Sequence, residues 1–390
     1  MRKIHYLDGL RGLAAFVVVF HHFVYAFYPA LFLGSNVQTH LKDGEEAFAS
    51  GSFLNLFYNG NFAVCIFYVM SGFVLSYKFF LIKDHEIIKE SAVKRYVRLV
   101  IPVAFSVICA YVLMRFSLFY NQQAAVASGS YWIGEFWRFN PDFFGALKQT
   151  FYGAFFANSF NYNVTLWSIA YEFAGSFLVF AFLAVFGKMK LRWIAYIVAI
   201  AFFFQTYYLA FVLGLLLSDI VAHKNTIVSK FDKTKIIRTI LLFVGLFLGS
   251  YPSGRGVDGT LYWFMEKSYL SNSAVFYHIL GAFLLMIVLL DSKKMQKVFS
   301  FKYLLFLGEI SFAMYILHFI ILGSFSSFIF IYLKPHVPYM ADFIISFLLS
   351  VGVIFLISYW VYEYVDKRAV YLSKFIYAKI FKRNIAEKKS

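Results

Sequence analysis

The sequence predicts an all-α fold: a polytopic membrane helix bundle of about ten transmembrane helices with both termini cytoplasmic. Three observations carry this. Of 390 residues only 14% are charged, against 61% hydrophobic and 22% aromatic, where a soluble domain carries about a quarter charged residues. Apolar stretches recur from residue 10 almost to residue 362, and many approach the roughly 20 residues that a helix needs to cross a hydrocarbon core. The basic residues, finally, sit in the short gaps between those stretches, with a bias to alternate gaps.

The ten predicted helices cover residues 10–32, 61–82, 99–119, 163–186, 192–204, 205–222, 236–250, 274–291, 303–332 and 341–362. Residues 192–222 read either as two short helices with a tight outer turn near Gln205 and Thr206 or as one long tilted helix. Charge decides for two. With ten spans and the N-terminus inside, the inside segments hold 29 of the 36 Lys and Arg and the outside segments 7, the expected positive-inside asymmetry. Merging the pair would place the Lys224–Arg238 cluster outside.

Arg2 and Lys3 ahead of an apolar run resemble a signal peptide. The run contains His21 and His22 and no small-residue cleavage pattern follows, so it is expected to remain as the first span. Residues 1–366 then form one transmembrane domain and residues 367–390 a basic cytoplasmic tail lying against anionic lipid headgroups. The outside loops at 33–60, 120–162 and 251–273 carry Trp and Tyr suited to the interface and are placed to cover a site. The net charge of +16 does not indicate nucleic-acid binding, because the cations do not share one soluble face. Cys65 and Cys109 lie in separate apolar runs without metal-site or disulfide spacing, and no metal is expected.

Ionisable residues inside spans are costly, about 2.5 to 3.5 kcal/mol for a central Arg, Lys or Asp. Those that draw attention here are Arg11, His21, His22, Glu172, Glu309 and His318. Eleven helical residues amount to about 20° beyond three turns, so Arg11 and His22 share a face about 16 Å apart along the axis, while His21 points away. That spacing suits an anionic head held at the inner surface and a reactive end reaching a buried base. Arg11 alone also suits a snorkelling anchor, and His22 a helix–helix hydrogen bond.

Glu172 is expected at the depth of His22, where a carboxylate can orient an imidazole; a buried ion pair is the other reading. Arg95 and Arg98 share a face at the inner entry of the third span and suit phosphate, or an ordinary positive-inside cluster. Ser311, Tyr315 and His318 form a polar stripe on the ninth helix, lining a cavity or packing between helices. Glu363, Asp366, Lys367 and Arg368 read as a salt-bridged cap on the last helix.

Five segments, in order along the chain, together resemble the acyltransferase-3 family of membrane acyltransferases. They are Leu7-Asp8-Gly9-Leu10-Arg11-Gly12-Leu13-Ala14-Ala15 leading to His22, and Phe67-Tyr68-Val69-Met70-Ser71-Gly72-Phe73. The third is Arg95 to Pro102 with its Arg-x-x-Arg-x-x-x-Pro spacing, the fourth Trp167-Ser168 to Glu172. Ile310-Ser311-Phe312 through Tyr315 to His318 completes the set. The first resembles the family's opening signature, an Arg and a His separated by ten residues, and it selects His22 over His21.

The resemblance implies an O-acyltransferase that takes an acyl group, usually acetyl, from cytoplasmic acyl-coenzyme A. It implies delivery to a hydroxyl, usually of a sugar in a bacterial envelope glycan, on the outer side of the cytoplasmic membrane. Some relatives carry an extracellular hydrolase-like domain after the last span. Here about 28 residues follow it, so transfer is expected to finish within the membrane or to pass through a separate acyl-handling partner.

On this expectation Arg11, Arg95 and Arg98 hold the acetyl-CoA phosphates and His22, oriented by Glu172, acts as general base. Ser311, Tyr315 and His318 are candidates to hold the acceptor or the oxyanion. The competing reading is a transporter of a glycan or lipid without covalent chemistry. Against it stands the lack of an evident repeat pair or of Gly/Pro-broken helices in matching halves.

Overall fold

In hydrocarbon every backbone polar group needs an internal partner, and a helix supplies one within its own segment. A computed structural model describes residues 4–42, 44–223, 235–267 and 269–382, and all regular structure among them is helical. Ten apolar helices stand where the hydropathy put them. We number them α1 His5–Phe27, α2 Gly60–Ile82, α3 Glu86–Arg115, α4 Leu166–Phe186, α5 Arg192–Phe202, α6 Tyr208–Ala222, α7 Lys235–Gly249, α8 Ser273–Asp291, α9 Lys302–Ile321 and α10 Tyr339–Val361. Seven of them (α1, α2, α3, α4, α8, α9 and α10) are long and apolar enough to cross a membrane. By contrast α5 has 11 residues and α6 and α7 have 15 each, about 16 and 22 Å at 1.5 Å per residue.

Residues 192–222 do form two helices. Gln205 adopts φ 63° between them, and its side chain fixes the turn by donating to Tyr269 O and accepting from Ser271 Oγ and the Asn272 amide. Side-chain caps start other helices: Asn59 Oδ1 accepts the Phe62 amide at the head of α2, and Asn272 Oδ1 the Val275 amide at the head of α8. The basic connection at 224–234 and the end of the tail at 383–390 lie outside the described residues.

Two elements reach further than hydropathy indicates. α3 begins at Glu86 rather than near residue 99, because its first turns are amphipathic and escape an apolar window. α10 continues through a π turn at Tyr362–Asp366 into the helix Lys367–Tyr377. The two extensions pack together, with Tyr377 donating to Glu86 Oε2 at 3.1 Å and Lys89 and Lys94 lying over the Phe381 and Tyr377 rings.

Two close backbone approaches position the site. Lipid tails are as apolar as leucine, so helices in a membrane associate through packing, and small residues let backbones touch. A Cβ on Gly12 would lie 2.4 Å from the Gly308 amide nitrogen, and one on Gly308 2.3 Å from the Asp8 carbonyl. These glycines therefore clamp α1 onto α9. In the same way Gly72 and Gly214 bring α2 against α6, where added Cβ atoms would meet Phe211 O at 2.2 Å and Val69 O at 2.0 Å.

Candidate active site

The Gly12–Gly308 contact sets Arg11 against α9. Its Nε donates to Ser311 Oγ at 3.0 Å, and one terminal nitrogen donates to Gly308 O at 2.8 Å and to Asp8 Oδ1 at 3.1 Å. The side chain remains 38% exposed. Ser311 Oγ itself donates to Gly308 O at 2.8 Å. Its hydroxyl is thus committed to holding Arg11, about 10 Å along α9 from His318 at 1.5 Å per residue.

Glu172 does not meet His22. Its Oε1 accepts from Ser71 Oγ at 2.8 Å and forms an ion pair with Arg95, whose Nε donates to Ser176 Oγ at 3.0 Å. The expected orientation of His22 by Glu172 is therefore corrected. A full positive charge reaches Glu172 from α3, and Ser71 reaches it from α2, so its acceptor capacity is directed toward those helices. Arg95, expected to be free for phosphate, is buried with its charge balanced.

Arg98 differs from its neighbour. It keeps accessible surface and makes no hydrogen bond or ion pair among the described residues, yet it is surrounded deeply by protein and lies within the fields of Arg95, Asp366, Arg11 and Glu172. Asp366 in turn feels Arg98 and Arg11. Pro102, four residues on, has no amide hydrogen to give the Arg98 carbonyl, which leaves a further polar atom at this level. The structure thus gathers Arg11, Arg95 and Arg98 with Glu172, Asp8 and Asp366 in one cluster. Of the expected cap, Glu363 pairs with Lys367 at 2.5 Å, while Asp366 belongs electrostatically to the arginines.

Near the other end of α1, His22 meets His318. His22 Nδ1 lies 2.9 Å from His318 Nε2 and 3.0 Å from Val18 O, and His318 Nδ1 lies 3.1 Å from Met314 O. The carbonyls assign the protons. Met314 O can only accept, so His318 carries its proton on Nδ1 and its Nε2 is a lone pair. Val18 O and that lone pair both accept from His22 Nδ1–H. His22 Nε2 is then the unprotonated nitrogen, with no hydrogen bond among the described residues. This is the arrangement of a general base whose other nitrogen is fixed by an acceptor.

His21 turns away as expected and bonds Tyr58 O at 2.8 Å. Tyr315 is buried with its ring edge toward His318 and Phe67, at centroid distances of 5.9 Å to each. Glu309 is exposed on α9. Sequence reasoning missed Trp132, which comes from the 120–162 connection and stacks on His22 at 5.7 Å and 15°. Nothing local distinguishes this Trp from other interfacial aromatics. Among the described residues no group of three or more His, Cys, Asp or Glu is placed to hold a metal ion.

Helices long and apolar enough to span, with a charge cluster and a histidine pair held between them, mark a multi-pass integral membrane protein. Residues 4–363 match the family profile described as an acyltransferase domain, and the chain belongs to this acyltransferase-3 family. It is a membrane acyltransferase. No curated protein and no solved structure matches the chain.

Proposed function

We propose that the protein moves an acetyl group from cytoplasmic acetyl-CoA to a sugar hydroxyl of an envelope glycan on the outer side of a bacterial inner membrane. The observation that carries this reading is the shared axis of α1. Arg11 sits in the arginine cluster, and His22, with a bare Nε2, lies about 16 Å further along. Positive-inside charge puts the Arg11 end at the cytoplasm, with ten spans including the short α5, α6 and α7 and both termini inside.

Coenzyme A carries phosphates that cannot enter hydrocarbon. Exposed Arg98, with Arg11, supplies forked donors for them at the inner mouth, and the extended arm brings the thioester toward His22. Arg95 acts through Glu172, holding α3, α4 and α2 in register around that mouth.

A sugar hydroxyl holds its proton at neutral pH, so its attack on the thioester carbonyl needs concerted proton removal, typically contributing about 10²- to 10⁴-fold. His22 Nε2 takes the proton as the C–O bond forms. His318 Nε2 accepts from Nδ1–H of the resulting imidazolium and stabilises it. Collapse of the tetrahedral species breaks the C–S bond, and His22 returns the proton to the departing thiolate. The Tyr315 hydroxyl is the candidate donor to the oxyanion.

Inside-out vesicles carrying the protein or its His22→Ala variant, fed isotope-labelled acetyl-CoA, test the proposal. Alkali-labile label on envelope glycan with the unmodified protein alone is expected. Equal label in both, at equal insertion, would remove His22 from the chemistry.

A further inference from the structure

The segment 120–139 crosses the end of the bundle at which α1 finishes, and it is fastened there at many points. Ser128 Oγ donates to Ala26 O at 2.8 Å and Ser130 Oγ to Tyr25 O at 2.7 Å, both on the last turns of α1. The Tyr120 amide donates to Gly323 O at 2.9 Å, just past α9. Asn121 Nδ2 closes the segment on itself through Ile133 O at 2.8 Å and Phe136 O at 3.0 Å. A Cβ on Gly323 would lie 2.2 Å from the Trp137 ring, so this contact has no slack.

The fastening delivers one ring onto the histidine pair. Trp132 lies parallel to His22 at 5.7 Å and parallel to Tyr25 at 4.1 Å. Its edge meets Phe319, the residue after His318, at 5.5 Å. Phe136 and Trp137 pack on Phe319 from the same segment at 4.9 and 5.4 Å. An indole fixed by stacking on both an α1 tyrosine and the imidazole covers one side of His22 with apolar surface, and Phe136 and Trp137 pack beside it on Phe319.

We propose that Trp132 is a positioning residue that shields His22 from water at the α1 C-terminal end of the bundle, and so keeps the acyl group for the acceptor. The second half rests on the acetyl-CoA reading above. Without the shield, water replaces the sugar hydroxyl as nucleophile: its oxygen bonds the acyl carbon, His22 Nε2 takes its proton, the C–S bond breaks, and the proton passes to the thiolate. Acetate and the free thiol are the products, and no other reactant is needed.

Two readouts separate the shield from the donor. In purified protein in proteoliposomes, diethyl pyrocarbonate acylates unprotonated imidazole nitrogens that are sterically open, and peptide mapping distinguishes His22 from His21. Trp132→Ala is expected to raise labelling of His22 about tenfold over wild type, with Trp132→Phe close to wild type because a phenyl ring still covers the imidazole. With acetyl-CoA and no acceptor, Trp132→Ala is expected to release thiol several-fold faster than wild type, and His22→Ala added to it to abolish the gain.

Unchanged His22 labelling in Trp132→Ala protein that melts at the wild-type temperature would overturn the shield. So would a rise of equal size at every histidine, which reports general loosening. A selective rise at His22 with no thiol release supports the shield and counts against acetyl-CoA as the donor.

Discussion

His318 Nε2 accepts the Nδ1 proton of His22 at 2.9 Å, and Met314 O, 3.1 Å from His318 Nδ1, holds the accepting ring in the required tautomer. The partner that orients the proposed base is therefore a neutral imidazole on α9. A neutral partner avoids burying an anion beside the base while that base is uncharged. His318→Ala is expected to lower kcat about 10- to 100-fold with donor KM little changed, since the arginines proposed to hold the donor lie elsewhere. His318→Asn, whose amide oxygen can accept, should recover part of the loss.

Arg98 is the exposed cation of its cluster with no hydrogen bond or ion pair among the described residues. One charge-assisted hydrogen bond contributes about 1.5 to 3 kcal/mol, so Arg98→Ala is expected to raise donor KM about 10- to 100-fold with kcat nearly unchanged. Arg98→Lys should restore part of the affinity, because a point charge meets phosphate without the fork. Donor titration of initial rates measures both.

Arg95 and Glu172 behave differently, because each leaves the other's charge unpaired in a buried place; their side chains are only 9% and 17% exposed. Arg95→Ala and Glu172→Ala are each expected to lower the melting temperature of the solubilised protein, and the double variant to melt above the sum of the two losses. Strict additivity would mean that the pair contributes no coupling.

The α1–α9 contact has a built-in control. A methyl group at Gly308 would fall 2.3 Å from Asp8 O, whereas one at Gly352 meets nothing within 4 Å. Gly308→Ala is expected to force the helices apart, with a cost of about 1 to 3 kcal/mol and a loss of donor affinity as Arg11 leaves Ser311. Gly352→Ala should be silent in thermal melting and in donor KM.

Much of this was legible in the residues. Hydropathy located the apolar helices among the described residues, seven of them long enough to cross a membrane, because a span has to be apolar along nearly its whole length. The α1 periodicity separated His22 from His21 for the same geometric reason that the structure turns His21 toward Tyr58. What hydropathy missed were the ends: Glu86 to Arg98 and Lys367 to Tyr377 form helices because they pack on one another, and amphipathic pairing leaves no apolar run. The partner of His22 was misassigned because depth along separate helices fixes one coordinate only. Depth pointed to Glu172, and rotation about α4, set by the Ser71 and Arg95 contacts, turns it elsewhere. Trp132 arrives from a connection 110 positions after His22 in sequence, and no local pattern encodes that docking.

The most direct test of the histidine pair as the catalytic unit is a double-mutant cycle on kcat for labelled acetyl transfer, using His22→Ala, His318→Ala and the combination. Groups that act as one unit are strongly non-additive. The double variant is predicted to be no slower than His22→Ala alone. If the two losses multiply, or if His318→Ala transfers label at the wild-type rate, His318 does not act through His22 and the account of the base is wrong.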